Sequence, residues 1–323
     1  MRYEDIRELS YELIEQVRTR YKGHGWDTAK WDPDTPILDF ERVYRALRGS
    51  IDTHVLPGPD GWVNRPLDDI DIAIEACKVG MGGVVYKGMD STVRSARLAQ
   101  KVVDQWAKEH GKESPKIIGG VTLGTLVGGL NPEAVRWSAK IGGKFVWTPV
   151  NDSSHTRKLW GLTGGIEVIG KDDKVLPELR EIFRIIAKYD LVLAFSHQSS
   201  RERLIMIDDA KEEGVKRMLI VHATESIVKM SIEQMKMAAE KGAYIELCCL
   251  DFNPIELIWD EWLEIIKEVG ADHIILATDA GNYHCGANPT IQYTALLGRL
   301  LEFGVSDEDV EKMTKINPRK LIF

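Results

Sequence analysis

Cysteine is scarce, and the four present, Cys77, Cys248, Cys249 and Cys285, form no C-x-x-C pair. That arrangement excludes a zinc ribbon, and the adjacent Cys248 and Cys249 in an apolar run read as buried free thiols of a reducing cytosol. Long apolar runs are missing too: no stretch approaches the roughly 18 residues of a membrane span. The start of the chain, Met1–Gln16, is charged and lacks the apolar region of a signal peptide. Basic residues are not in excess, with 42 Lys and Arg against 50 Asp and Glu and a net charge of -8. Nucleic acid and anionic membrane are thereby excluded as dominant partners. No Gly-x-Gly-x-x-Gly follows a strand-like run, which removes dinucleotide binding. The expected compartment is the cytoplasm, and an acidic balance by itself says nothing about substrate.

What is present is a rhythm. Before about residue 48 the pattern is helical, interrupted by a Trp-, Asp- and Pro-rich loop at Trp26–Pro36. From there, short β-type runs alternate with amphipathic segments. The strand candidates are Gly49–His54, Gly83–Lys87, Lys116–Val121, Lys144–Trp147, Leu191–Phe195, Arg217–Val221, Ala243–Leu247 and His273–Thr278. Helical segments between them include Ser91–His110, Pro177–Tyr189, Ser199–Glu213, Ser231–Lys241 and Pro254–Val269. Six of the helices end in glycine, at Gly80, Gly111, Gly142, Gly214, Gly242 and Gly270. Strands alternating with helices imply right-handed βαβ units, and eight units favour a closed (β/α)8 TIM barrel over an open sheet. The expected organisation is an N-terminal helical extension at 1–48 and a barrel at 49–323 that includes the C-terminal helices. With 44% hydrophobic residues, a chain of 323 can fill one such core.

Polar, metal-capable residues fall where the strands end. Asp52 and His54 close the first strand and Lys87 the second. His197 follows the fifth, His222 the sixth and Asp279 the eighth. Parallel barrel strands present these ends on one face, so all six point to one mouth. A lone histidine at a strand end is usually structural, but three with an aspartate at one rim suit a divalent ion of the zinc, iron or nickel type. Glu246 closes the seventh strand and, if buried, needs a cationic, metal or hydrogen-bonding partner. The longest connection, Asn151–Asp173, carries His155, Arg157 and Trp160 and reads as a substrate lid or a plain surface insertion. Asn131-Pro132 reads as a helix N-cap followed by proline. Asp60 reads as turn chemistry or a substrate-orienting group. His284 could line the site, His273 belongs to the opposite barrel face, and His24 and His110 look like surface residues.

Several segments together resemble the amidohydrolase superfamily, and more closely an uncharacterised DUF6282-like branch of it. They are Ile51–Asp60, Val84–Lys87, Gly128–Pro132, Phe145–Pro149, Ser196–Ser199, Ile220–His222, Ala277–Gly281 and Asn317-Pro318. The resemblance implies that His54, His197 and His222 are metal ligands and that Asp279 is a ligand, the general base, or both. The chain departs from the pattern at Leu56, where the second histidine of His-x-His belongs, and at Met89, where close relatives carry histidine. One divalent ion is therefore expected, with zinc first and iron, manganese or nickel as the other candidates. Two-metal members take their bridging lysine from the fourth strand, so Lys87 on the second is read as binding a substrate anion. The plain reading of Lys87 is a rim ion pair with Asp90.

The resemblance implies a metal-dependent hydrolase of an amide, lactone or related carboxyl derivative. A decarboxylase or other lyase would use the same ligands. A metal-free barrel acting as a binding or structural subunit is the reading from another class. Asp279 and Lys87 are the expected catalytic groups. Lys87, Arg65, Trp147, His155 and Arg157 are expected to hold an anionic substrate. Trp26, Trp31, Trp62, Trp147 and Trp160 would shape an aromatic pocket or the interface of a homo-oligomer.

Overall fold

Among the described residues every named strand is parallel to its neighbours, and the order along each sheet is the order along the chain. The computed structural model describes residues 39–61, 63–248, 259–281 and 288–323. The strands are β1 (Ile51–Val55), β2 (Gly83–Tyr86), β3 (Lys116–Ile118), β4 (Gly120–Thr122), β5 (Phe145–Trp147), β6 (Val192–Phe195), β7 (Arg217–Ile220), β8 (Ala243–Cys248) and β9 (Ile274–Ala277). They are short, apolar and almost wholly buried, as strands covered on both faces must be.

β3 and β4 are two halves of one stave, so the nine segments make the eight staves of a (β/α)8 barrel. The break at Gly119 has a local cause. A Cβ there would lie 2.7 Å from the carbonyl oxygen of Thr92, whose chain crosses against the strand. Thr92 Oγ1 then accepts a hydrogen bond from Gly120 N–H at 3.1 Å and donates one to the Tyr86 carbonyl at 2.7 Å. The two backbone groups freed by the break are thereby satisfied.

The seam between first and last staves closes at the rim. Asp279 N–H donates to the His54 carbonyl at 2.8 Å, and Leu56 N–H to the Ala280 carbonyl at 2.9 Å. Asp52 stitches the same seam from inside. It accepts from the N–H groups of His54 and Thr278 at 3.1 Å each and from Thr278 Oγ1 at 2.6 Å. Burial nevertheless outweighs these bonds and pushes the Asp52 carboxyl up to about 7, from an ordinary value of 3.8. A pKa raised by folding makes the native state bind more protons between those values, so this group's contribution falls as pH rises from about 4 to 7. Asp52→Asn keeps the acceptor for both N–H groups and has no such titration. Its stability relative to the parent should rise by about 1 kcal/mol per pH unit across that window, read from urea midpoints at pH 5 and pH 7.

The barrel interior is filled by Ile51, Val85, Phe145, Trp147, Val192, Leu219 and Ile275. Leu321 and Ile322 join this cluster from the helix Asn317–Ile322, at the end where the strands begin. Arg217, the first residue of β7, donates to the carbonyls of Lys320 at 2.7 Å and Leu321 at 2.9 Å. Asn317 Nδ2 reaches the carbonyls of Ala271 and Ile274 at 2.7 Å each. Asn317 and His273 therefore belong to the closed floor, and the mouth lies at the opposite end. A second, larger apolar layer packs staves against the surrounding helices.

Of the expected 1–48 extension, residues 39–48 are described. Asp39 caps the helix Phe40–Leu47, and Arg42 pairs with Asp307 at 2.9 Å, which docks this helix beside the C-terminal ones. Trp26, Trp31, Trp62, His24, His284, Cys249, Cys285 and the start of the Pro254–Val269 segment lie outside the described residues.

Candidate active site at the barrel mouth

The site grows from three strand ends and the turns that follow them. β6 delivers His197, β7 delivers His222, and β9 delivers Asp279. Both His222 and Asp279 sit in the left-handed backbone region, at φ 35° and 49°. Non-glycine residues adopt that region at a cost, so two such outliers at one rim mark backbone held against its preference.

His197 and His222 face each other edge to face, with ring centroids 4.9 Å apart. Glu225 stands over them, its Oε2 3.1 Å from His222 Nδ1 and 4.0 Å from His197 Nε2. A tight turn brings Glu225 back, closed by its own N–H on the His222 carbonyl at 3.2 Å. Both rings are held well below the ordinary histidine value. Burial is the largest cause for each; Lys87 and Arg203 add to it for His197, and His197 and Lys87 for His222. They are therefore neutral imidazoles with a lone pair available, the form that binds metal. Burial, and then the charge of Asp279, push the Glu225 carboxyl up to about 7.

Inward of this trio lies a satisfied one. His54 is fully buried, with Nδ1 hydrogen-bonded to Glu246 Oε1 at 3.0 Å and Nε2 2.8 Å from Asp279 Oδ1. Burial opposes its charge, yet the carboxylates of Asp279 and Glu246 outweigh burial and the repulsion of Lys87, and the ring is pushed up to about 9. Glu246 also accepts from Thr53 Oγ1 at 2.8 Å and Cys248 Sγ at 3.2 Å. It has the partners a buried carboxylate requires. Asp279 would rise with burial, but His54 first, then Lys87 and His197, hold it below the ordinary carboxylate range.

Lys87 is buried, and its ammonium makes no hydrogen bond or ion pair among the described residues; no bridge to Asp90 forms. Its charge is felt by His54, His197, His222, Glu225 and Asp279 alike, which places it among them at the mouth.

The other expected substrate contacts have structural partners. Trp147 is buried in the barrel interior and stacked on Phe145 at 5.2 Å, which is a packing position rather than a pocket wall. Arg65 pairs with Asp60 at 3.1 Å within the first loop, both side chains nearly covered. His155 Nε2 lies 2.9 Å from the Ile227 carbonyl, and Arg157 Nε donates to the Thr163 carbonyl at 2.9 Å. The Asn151–Asp173 segment is consequently pinned to the turn that carries Glu225. It also steadies His197: Ser153 Oγ donates to the His197 carbonyl at 2.7 Å, and Thr156 Oγ1 lies 3.3 Å from His197 Nδ1. That contact leaves Nε2 for the site.

Three contributors were missed by the sequence reading: Glu225, Thr156 and Arg203. Arg203 is fully buried and donates to the carbonyls of Ser196 and Val221, the residues just before the two histidines. Its signal was available. Arg203, Met206, Ile207 and Ala210 form the buried stripe of the helix Ser200–Glu212, so this arginine stands at a core position.

Residues 49–246 match the model of DUF6282, described as a family of unknown function. No curated protein matches the sequence. Solved structures match closely in fold and distantly in sequence. An amidohydrolase from Pseudomonas aeruginosa superposes with a TM-score of 0.59 at 14% identity, over 87% of this chain and 97% of its own. A TatD homologue from Escherichia coli K12 gives 0.53 at 14% identity, over 85% and 98%. An organophosphate-hydrolysing protein engineered from a promiscuous lactonase template gives 0.53 at 15% identity, over 86% and 96%. At these identities the likeness establishes the barrel.

Proposed function

Since the chain belongs to DUF6282, a family of unknown function, we propose from its own site that it is a metal-dependent hydrolase of an ester, lactone or amide bearing an anionic group. One observation carries the reading: two neutral imidazoles from adjacent strands converge on buried polar atoms that lack hydrogen bonds. These atoms are His222 Nδ1 and Glu225 Oε2. Buried polar atoms are ordinarily satisfied, and a ring nitrogen and a carboxylate oxygen left over at one point have the chemistry of a divalent-ion site. His197 and His222 would hold the ion. When bound, it supplies Lewis acidity toward a carbonyl oxygen and toward water.

The chain's own groups do the rest. Asp279 stays ionised near neutrality and takes a proton at Oδ1 or Oδ2, then returns it to the leaving group. His54, fixed on Glu246, orients that carboxylate. Lys87 offers an ammonium with no direct ion-pair partner among the described residues, and a substrate carboxylate or phosphate supplies one. The structural neighbours, which include an amidohydrolase and a lactonase-derived hydrolase, support the reaction class at the level of fold.

The test pairs metal content with matched substrates. Protein purified without chelator should carry close to one equivalent of a divalent ion and should hydrolyse carboxylate-bearing esters or lactones better than neutral analogues. Lys87→Met should raise KM for the anionic member by about 10- to 100-fold, the value of a lost charge-assisted contact, and raise KM for the neutral member far less. Protein that takes up no ion and cleaves none of the panel would end this reading in favour of a metal-free barrel.

A further inference from the structure

Among the described residues two groups of donor atoms at the mouth could each hold an ion: His54, Glu246 and Cys248, and His197, His222 and Glu225. They differ in what they already bind. In the inner group Glu246 has hydrogen bonds from Thr53, His54 and Cys248, and His54 has a carboxylate within 3.0 Å of each ring nitrogen. An ion entering there would displace existing partners. In the outer group the donor atoms lie within 4.8 Å of one another. His222 Nδ1 and Glu225 Oε2 are close but not aligned as donor and acceptor, and both are buried without a hydrogen bond.

We propose that the third protein ligand is Glu225, so that the ion sits on a His197–His222–Glu225 centre outside the His54–Asp279 pair. This rests on the metal-dependent reading above and names the ligand set. Two imidazoles and one carboxylate with an open fourth position is a recurring arrangement of catalytic zinc. The supports of the centre fit that assignment. Thr156 holds Nδ1 of His197, Arg203 fixes the backbone entering both histidines, and the turn from His222 to Glu225 is closed by its own hydrogen bond. Asp279 is then free to act as a base beside the ion, because its carboxylate is not consumed as a ligand. Glu225 comes from the turn after β7 rather than from a strand end.

The experiment is a titration of metal-stripped full chain with zinc against a competing chelator, read as Kd. Glu225→Gln is isosteric and sits at a side chain 18% exposed, so it should fold, with circular dichroism as the control. It should weaken zinc binding by roughly 100-fold or more, beyond the 10–100-fold typical of groups that only support a ligand. Glu225→Asp should recover part of the loss. Asp279→Asn should leave Kd within about threefold of the parent. Unchanged affinity in folded Glu225→Gln, with collapse in Asp279→Asn, would put the ion on the inner pair and overturn the assignment while sparing the hydrolase reading. A parent chain that binds neither zinc nor, in the same titration, manganese, iron or nickel would overturn both.

Discussion

On the proposed mechanism, Asp279→Asn should lower kcat by about 10²- to 10⁴-fold, the usual contribution of a general base, while the ion stays bound. The amide is isosteric and can still approach His54, so the seam hydrogen bond from residue 279 N–H to the His54 carbonyl, 2.8 Å in the parent, is untouched. What disappears is the proton acceptor. In the parent that acceptor is present across the neutral range, because His54, Lys87 and His197 together overcome the effect of burial and hold the carboxyl below its ordinary value. Steady-state kinetics on the best substrate of the panel, beside elemental analysis of the same sample, separates the two effects. A variant that keeps its ion and its kcat would remove Asp279 from the chemistry.

Gly281→Ala is expected to yield little or no folded protein. The backbone at Gly281 has φ 136°, a region that side-chain-bearing residues rarely enter. A Cβ there would lie 1.9 Å from the Leu56 carbonyl oxygen and 2.8 Å from its carbon. Both are backbone atoms of the strand end on the other side of the seam, so no rotamer change relieves the overlap. Parting the strands would break the Leu56–Ala280 hydrogen bond and unseat Asp279 and His54 with it. The combined cost is on the order of 3–5 kcal/mol or more, a large part of a domain's stability. Soluble yield and thermal midpoint are the readouts. A variant within a few degrees of the parent would show that the rim is far more yielding than this packing allows.

The eight staves could be read from sequence because strands buried on both faces are written as short apolar runs between turns. The helix Pro177–Tyr189 matches its expected bounds, and Ser199–Glu213 differs by one residue at each end. The six glycines read as helix C-caps all have positive φ, from 63° to 97°. The break at Gly119 could not be read, since it follows from the tertiary approach of Thr92. The placement of His197, His222 and Asp279 at strand ends was legible because parallel strands share a polarity. Glu225 was not, because a turn decides where it points and that turn follows the last strand residue. Trp147 shows a signal misweighed: it shares strand parity with Phe145, and both fill the barrel interior. Arg203 and Arg201 are two positions apart on one helix, yet Arg201 is a surface partner of Asp173 and Arg203 is fully buried. Only the apolar stripe separates them.

The seam also orders events in time. Asp52 and Thr278 meet across 226 positions of chain, while β6 and β7, which carry the two histidines, are consecutive staves of one continuous ladder. Contacts between distant parts of a chain wait on the closure of a long loop, and neighbouring ones do not. The imidazole pair can thus assemble while the barrel is still an open sheet. Asp279 meets His54 only when the first and last staves join. The Asp279–His54 pairing therefore depends on this closure in a way that the imidazole pair does not. Parting the seam would separate Asp279 from His54 without touching the β6–β7 ladder.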